Sequence, residues 1–241
     1  MDRDAHAGAG PAPDLDALVA TLAADAHVRE QALAFLGHTD QEVGDTLARR
    51  IDEACSMVTG DARPSFAVRT LAPAEAGFLL EGADIARHLE GAIEVSLFVV
   101  TLGLGIDRRL RLLGSTDPLG QVVYDATASA AVERLADGVE AWLRARMRGR
   151  GLHPSWRFSP GYGDLPLAVQ PRLLAAVDAW RLCGVHLTDS YLMVPTKSVS
   201  AIVGAHERPQ PGIADSCAIC SLAGVCQMRS RGVTCRGGRV S

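Results

Sequence analysis

No stretch of this 241-residue chain is long and apolar enough to span a bilayer. The richest run, residues 95–105, has about half the required length and carries Ser96 and Thr101. A strong excess of positive charge is missing too. The formal net charge is −4, which argues against a general nucleic-acid binder. The N-terminal MDRDAHAGAGPAPD has acidic residues and no apolar core, so it is not a secretory signal. Its Ala, Gly and Pro bias predicts a disordered tail over residues 1–13, and the cytoplasm is the expected compartment. Cysteine is sparse, six in all, and four of the six crowd the last 25 residues. That pattern suits metal ligation in a reducing compartment better than a disulfide framework.

Several catalytic signatures are absent as well. No two histidines stand four residues apart around a carboxylate, and no Ser-His-Asp or Cys-His arrangement can be built. Thr101-Leu-Gly-Leu-Gly105 is glycine-punctuated but is not G-x-G-x-x-G, so no dinucleotide site follows.

What is present is a core-forming composition, 48% hydrophobic, with alternating helical and strand signals. Asp14 or Asp16 is placed to cap a first helix, in which Leu15, Leu18, Val19 and Leu22 recur at helical spacing. A second helix is expected over 28–36, ended by Gly37, and a third over 40–58 with Val43, Leu47, Ile51 and Ala54 as its stripe. Cys55 belongs to that buried side. Residues 65–71 alternate as a strand, and 78–80 read as another. Asp84 is expected to cap a helix reaching Leu89. The β-branched run 93–102 is a buried strand or a buried helix; its periodicity does not decide. A helix over 106–113 follows. Asp117-Pro118 then opens a long helix to about Met147, slimmed by Ala128, Ala130 and Ala131.

Residues 157–200 carry the most specific pattern. Arg157 precedes Ser159-Pro160-Gly161-Tyr162, a turn in which Pro fixes its own φ and Gly admits positive φ. The guanidinium fork suits a carboxylate or phosphate, and Gly161 allows close backbone approach to a ligand. One helix over 170–183 is expected next, with Leu173, Leu174, Val177 and Trp180 or Arg181 inward and Gly184 as its stop. Then come a half-buried strand at 185–188 and a closing strand over 198–203.

In order, Arg-x-x-Pro-Gly-Tyr, then Gly184-x-x-Leu-Thr-Asp-Ser190, then Pro195 and Ser198-Val-Ser200, resemble the activation domain of cobalamin-dependent methionine synthase. The resemblance covers about residues 28–204 and is specific after Arg157. It implies an α+β fold, helices around a twisted antiparallel sheet, over residues 14–206; residues 207–241 fall outside it and are expected, from their own cysteines, to be a small Cys-rich metal-binding tail. It implies S-adenosylmethionine as ligand, with Arg157 on its carboxylate and Ser159, Gly161 and Tyr162 lining the pocket. Asp137, with Glu133 one turn earlier, falls where the family helix supplies an acidic side chain. The family's Cys-Pro after the tyrosine is Leu165-Pro166 here, and its N-terminal aspartate has no matched position; Asp25 or Asp40 is a candidate.

Past Gly204, Cys217-Ala-Ile-Cys220 is followed by Cys226 and Cys235, a metal-ligand spacing, and from Cys217 onward the chain carries arginines and no acid. An iron–sulfur cluster is the expectation, because an activator needs electrons; tetrahedral zinc is the alternative. The resemblance further implies action in trans on a cobalamin-dependent methionine synthase, with ferredoxin or flavodoxin as electron donor. Another corrinoid methyltransferase as client, or a non-catalytic S-adenosylmethionine-binding scaffold with structural zinc, are the alternatives.

Overall fold

The computed structural model describes residues 12–38, 42–210, 222–225 and 230. The four tail cysteines, Asp40 and most of the predicted N-terminal tail lie outside them. Among the described residues a four-stranded antiparallel sheet runs in the order β1-β2-β6-β3. Its strands are β1 (Ser65–Leu71), β2 (Ala92–Thr101), β3 (His153–Pro154) and β6 (Ser198–His206). A short hairpin, β4 (His186–Leu187) with β5 (Met193–Val194), stands apart.

Helices cover both faces of the sheet. On one side are α1 (Leu15–Ala20), α2 (Ala26–Phe35), α3 (Asp45–Asp61), α5 (Leu104–Thr116) and α6 (Pro118–Gly149). On the other are α4 (Ala83–His88), α7 (Gln170–Ala176) and α8 (Ala179–Cys183). The alternation of the strands divides the core. Phe98, Val100, Ala201 and Val203 face the first side, while Leu97, Val99 and Ile202 face the second. This explains the ambiguous run 93–102. A strand buried on both faces needs no polar side and so shows no period-two signal.

The 32-residue α6 is the axis of the first side. Asp117 caps it by accepting a hydrogen bond from the Gly120 amide at 3.0 Å. Ala128, Ala130, Ala131 and Ala136 are fully buried along it, and α2 and α3 pack against this slim face. At Gly138 a Cβ would meet the end of the Leu18 side chain of α1, so a larger residue there would require Leu18 to move.

Four expectations are corrected. Residues 78–80 are not a strand: Pro73–Leu79 forms a 3-10 segment, and the apolar Phe78-Leu79-Leu80 only mimics β composition. Asp84 does not cap α4. It lies inside the helix, and the Asp164 side chain accepts from the amides of Ala83 at 2.7 Å and Asp84 at 3.0 Å. The single helix over 170–183 is two, because Asp178 adopts a left-handed conformation (φ 53°) and breaks it. In consequence Trp180 swings outward and is 68% exposed, whereas Leu173, Leu174 and Val177 are buried as expected. Gly184 does terminate α8, at φ 69°. Cys55 is fully buried, and burial pushes its thiol pKa up.

Candidate functional site

Residues 153–158 lie along the edge of β6. The Ser155 amide donates to Gly204 O (2.8 Å), and Phe158 and Ile202 exchange both amide bonds at 2.8 Å. In this extended segment side chains alternate. Trp156 and Phe158 join the second core, where His88 stacks near both at 4.6 and 5.2 Å. Arg157, between them, points the other way, at α6.

There it meets three carboxylates. Arg157 Nη2 donates to Glu133 Oε2 at 2.5 Å, and Nη1 donates to Asp137 Oδ1 at 2.5 Å and Glu140 Oε2 at 3.0 Å. The Arg157 amide adds a bond to Glu140 Oε1 at 3.3 Å. Glu133, Asp137 and Glu140 are four and three residues apart, so one face of α6 presents all three. Arg144, one turn on, approaches Glu140 at 3.6 Å and donates to Ser155 O at 2.6 Å. Arg157 is only 2% exposed. Burial works against its charge, but Asp137, Glu133 and Glu140 outweigh that and push its pKa up. Its Nε is buried with no hydrogen-bond partner.

The expected site residues are therefore brought together, in an arrangement the sequence did not suggest. Arg157, Glu133 and Asp137 form one cluster, but the guanidinium's Nη groups are taken by the chain's own acids. A ligand carboxylate would have to replace one of them. The outer rim is acidic: the side chains of Glu133 and Asp137 are 25% and 35% exposed, while that of Glu140 is buried. Ser159, Gly161 and Tyr162 form the turn that follows. Ser159 is buried, its carbonyl accepts from the Tyr162 amide at 3.0 Å, and Gly161 has φ 93°. The Tyr162 ring packs on Phe158 at 6.1 Å. Thr188 and Ser190 bond each other at 3.0 Å, and Thr188 Oγ1 accepts the Leu192 amide, fixing the β4–β5 turn. Asp25 is spent on Arg134 at 2.7 Å and on capping α2.

Two residues escaped the sequence reading. Glu140 was recoverable, since it continues the Glu133–Asp137 face. Lys197 is the only lysine in the chain and sits inside the Pro195-to-Ser200 motif. Its Nζ reaches Asp125 at 2.7 Å and Ser129 at 2.9 Å, two turns and one turn before Glu133 on the same face of α6. Among the described residues no group of three His, Cys, Asp or Glu is arranged to hold a metal ion, and no helix is long and apolar enough to cross a membrane.

The described residues thus define an α+β protein whose edge segment delivers a buried arginine to an acidic helix face. The family model for the vitamin B12-dependent methionine synthase activation domain matches residues 83–211, more than half of the sequence, and the chain belongs to that family. A solved structure of the MetH reactivation domain bound to AdoHcy is similar at 18% identity, with a TM-score of 0.42. The similarity covers 58% of this chain and 47% of that one, so the chain spans about half the length of that relative. No curated protein matches.

Proposed function

We propose that the chain activates a cobalamin-dependent methionine synthase in trans, binding S-adenosylmethionine at the Arg157 cluster. The observation that carries this reading is the meeting of Arg157 with Glu133 and Asp137, within the span of the family match. S-adenosylmethionine has a carboxylate, an ammonium and a sulfonium, and is a net cation. A cluster with more carboxylates than guanidinium groups suits it. On binding, the ligand carboxylate takes a place on Arg157, and the displaced Asp137 or Glu133 accepts the ammonium. The Ser159–Tyr162 turn borders the pocket, with Gly161 allowing close approach of the backbone.

The chain's residues position the methyl group and exclude water; none needs to move a proton. The partner would hold the cobalamin, and ferredoxin or flavodoxin would supply the electron that readies it; this chain would present the sulfonium methyl to it, the spent donor leaving as a neutral thioether. Cys217, Cys220, Cys226 and Cys235 would hold an iron–sulfur cluster on the electron path, or a zinc ion in a structural role. The protein acts in the cytoplasm, and a corrinoid protein of a demethylase system is an alternative client.

Calorimetry with S-adenosylmethionine on the wild type and on Glu133→Gln/Asp137→Asn tests the site. The variant should bind at least about tenfold more weakly, as expected when a charged contact is lost. Equal affinity would remove the site. Turnover of an oxidised partner should return only when the chain, a reductant and the methyl donor are all present.

A further inference from the structure

Between the end of α3 and the first turns of α5 lies a cleft of about 410 Å³. Its lining includes Asp61, Arg63, Arg108, Arg109 and Leu112, three guanidinium groups against one carboxylate. That carboxylate is already matched. Arg109 grips Asp61 through Nε at 2.8 Å and Nη2 at 3.0 Å, and the Tyr124 hydroxyl donates to it at 3.0 Å. Burial raises the Asp61 pKa, but these partners outweigh it and hold the carboxyl below its usual value. Arg63 donates only to neutral carbonyls, Gly60 O at 3.1 Å and Ala62 O at 2.5 Å. Arg108 is exposed and has no hydrogen bond or ion pair among the described residues. The neighbouring Asp107 is not part of the lining; its Oδ1 accepts from the Thr196 amide at 3.1 Å, and its charge is felt by Tyr124. Asp61 feels the charge of Arg63 as well as that of Arg109, but three guanidinium groups against one carboxylate still leave the lining with a surplus of two positive charges, in a chain that is acidic as a whole.

We propose that this cleft binds a phosphate dianion, free or as the monoester of a small molecule. The guanidinium fork matches phosphate oxygens in charge and plane. A monoester phosphate carries close to two charges at neutral pH, the number left unmatched here, whereas a carboxylate carries one. The volume lies in the range of small-molecule sites, and Leu112 offers an apolar edge to the organic part of an ester. The site is distinct from the acidic cluster. Tyr124, which backs the cleft, is nine residues before Glu133, about two and a half turns, and so on the opposite side of α6.

The probes are inorganic phosphate and adenosine monophosphate, titrated at constant ionic strength into the full chain and into Arg63→Ala/Arg108→Ala. Both side chains are exposed, so the variant should fold, and circular dichroism will check that. Saturable binding to the wild type is expected, weakened at least about tenfold in the variant. Tighter binding of the monophosphate identifies the esterified form and equal binding the free ion; either upholds the site. Binding of both probes that does not saturate, or that is unchanged in the folded variant, overturns it.

Discussion

Arg157 and Glu133 stand 24 residues apart in the chain and 2.5 Å apart in space. The contact joins the sheet edge to α6, and Asp137 and Glu140 complete it. Charge is concentrated here at a position only 2% exposed, so the cluster is structural before it is anything else. Its value to a ligand lies in the partners it can exchange.

Removing the cation should therefore destabilise the fold. Arg157→Met leaves Glu133, Asp137 and Glu140 facing one another, and breaking a buried pair in this way costs about 3–5 kcal/mol. The partly hydrated Glu133 and Asp137 place the expected loss at the lower end. Urea denaturation measures it, and adding Glu140→Gln should recover part, since one of the stranded charges is removed.

Acid should weaken the protein before its carboxylates titrate. Burial lowers the His88 pKa from 6.5 to about 4, outweighing a hydrogen bond to the Trp156 backbone that favours the charged ring. The unfolded chain takes up a proton near pH 6.5 and the folded chain only near pH 4. The His88 contribution is therefore complete above pH 6.5 and is lost as pH falls towards 4. Between pH 7 and 5 the loss is about 2 kcal/mol. His206 shifts the same way, also through burial. Denaturation at the two pH values should show the drop, and His88→Gln should shrink it; a flat profile above pH 5 contradicts the assignment.

The α3–α5 contact depends on a missing side chain. At Gly105 a Cβ would meet the backbone carbonyl of Asp61 well inside contact distance. Gly105→Ala should force the helices apart at a cost of about 1–3 kcal/mol, read as a lower Tm. An unchanged Tm would mean that the two helices are free to slide.

The cysteine segment gives a visible readout. Protein purified without oxygen should be brown and carry iron and sulfide, and Cys217→Ser/Cys220→Ser should be colourless. Colourless wild-type protein with one zinc would instead favour a structural tail.

Much of this architecture was readable because local signals agreed with tertiary demands. The strand Ser65–Leu71 and the Asp117-Pro118 opening of α6 fall where alternation and capping place them. The misreadings have physical causes. The break at Asp178 has no Gly or Pro to announce it; an aspartate takes the left-handed turn there, which Asp tolerates better than most residues but does not by itself signal. The strand β2 hid because both its faces are buried. At the site, the resemblance supplied Arg157, Glu133 and Asp137, yet their mutual pairing was not legible. Nothing in a linear chain tells whether an arginine and two acids will meet a ligand or one another. Glu140 and Lys197 were overlooked for opposite reasons: one continued a visible pattern, and the other stood alone in its residue type.

The solitary Lys197 has a practical consequence. Apart from the α-amino terminus, it is the chain's one primary amine. Its ammonium is clasped by Asp125 and Ser129, so it should react slowly with acylating reagents. Anything that docks along that side of α6 and disturbs the clasp would change the acylation rate at a single address, which makes the native polypeptide its own footprinting reporter.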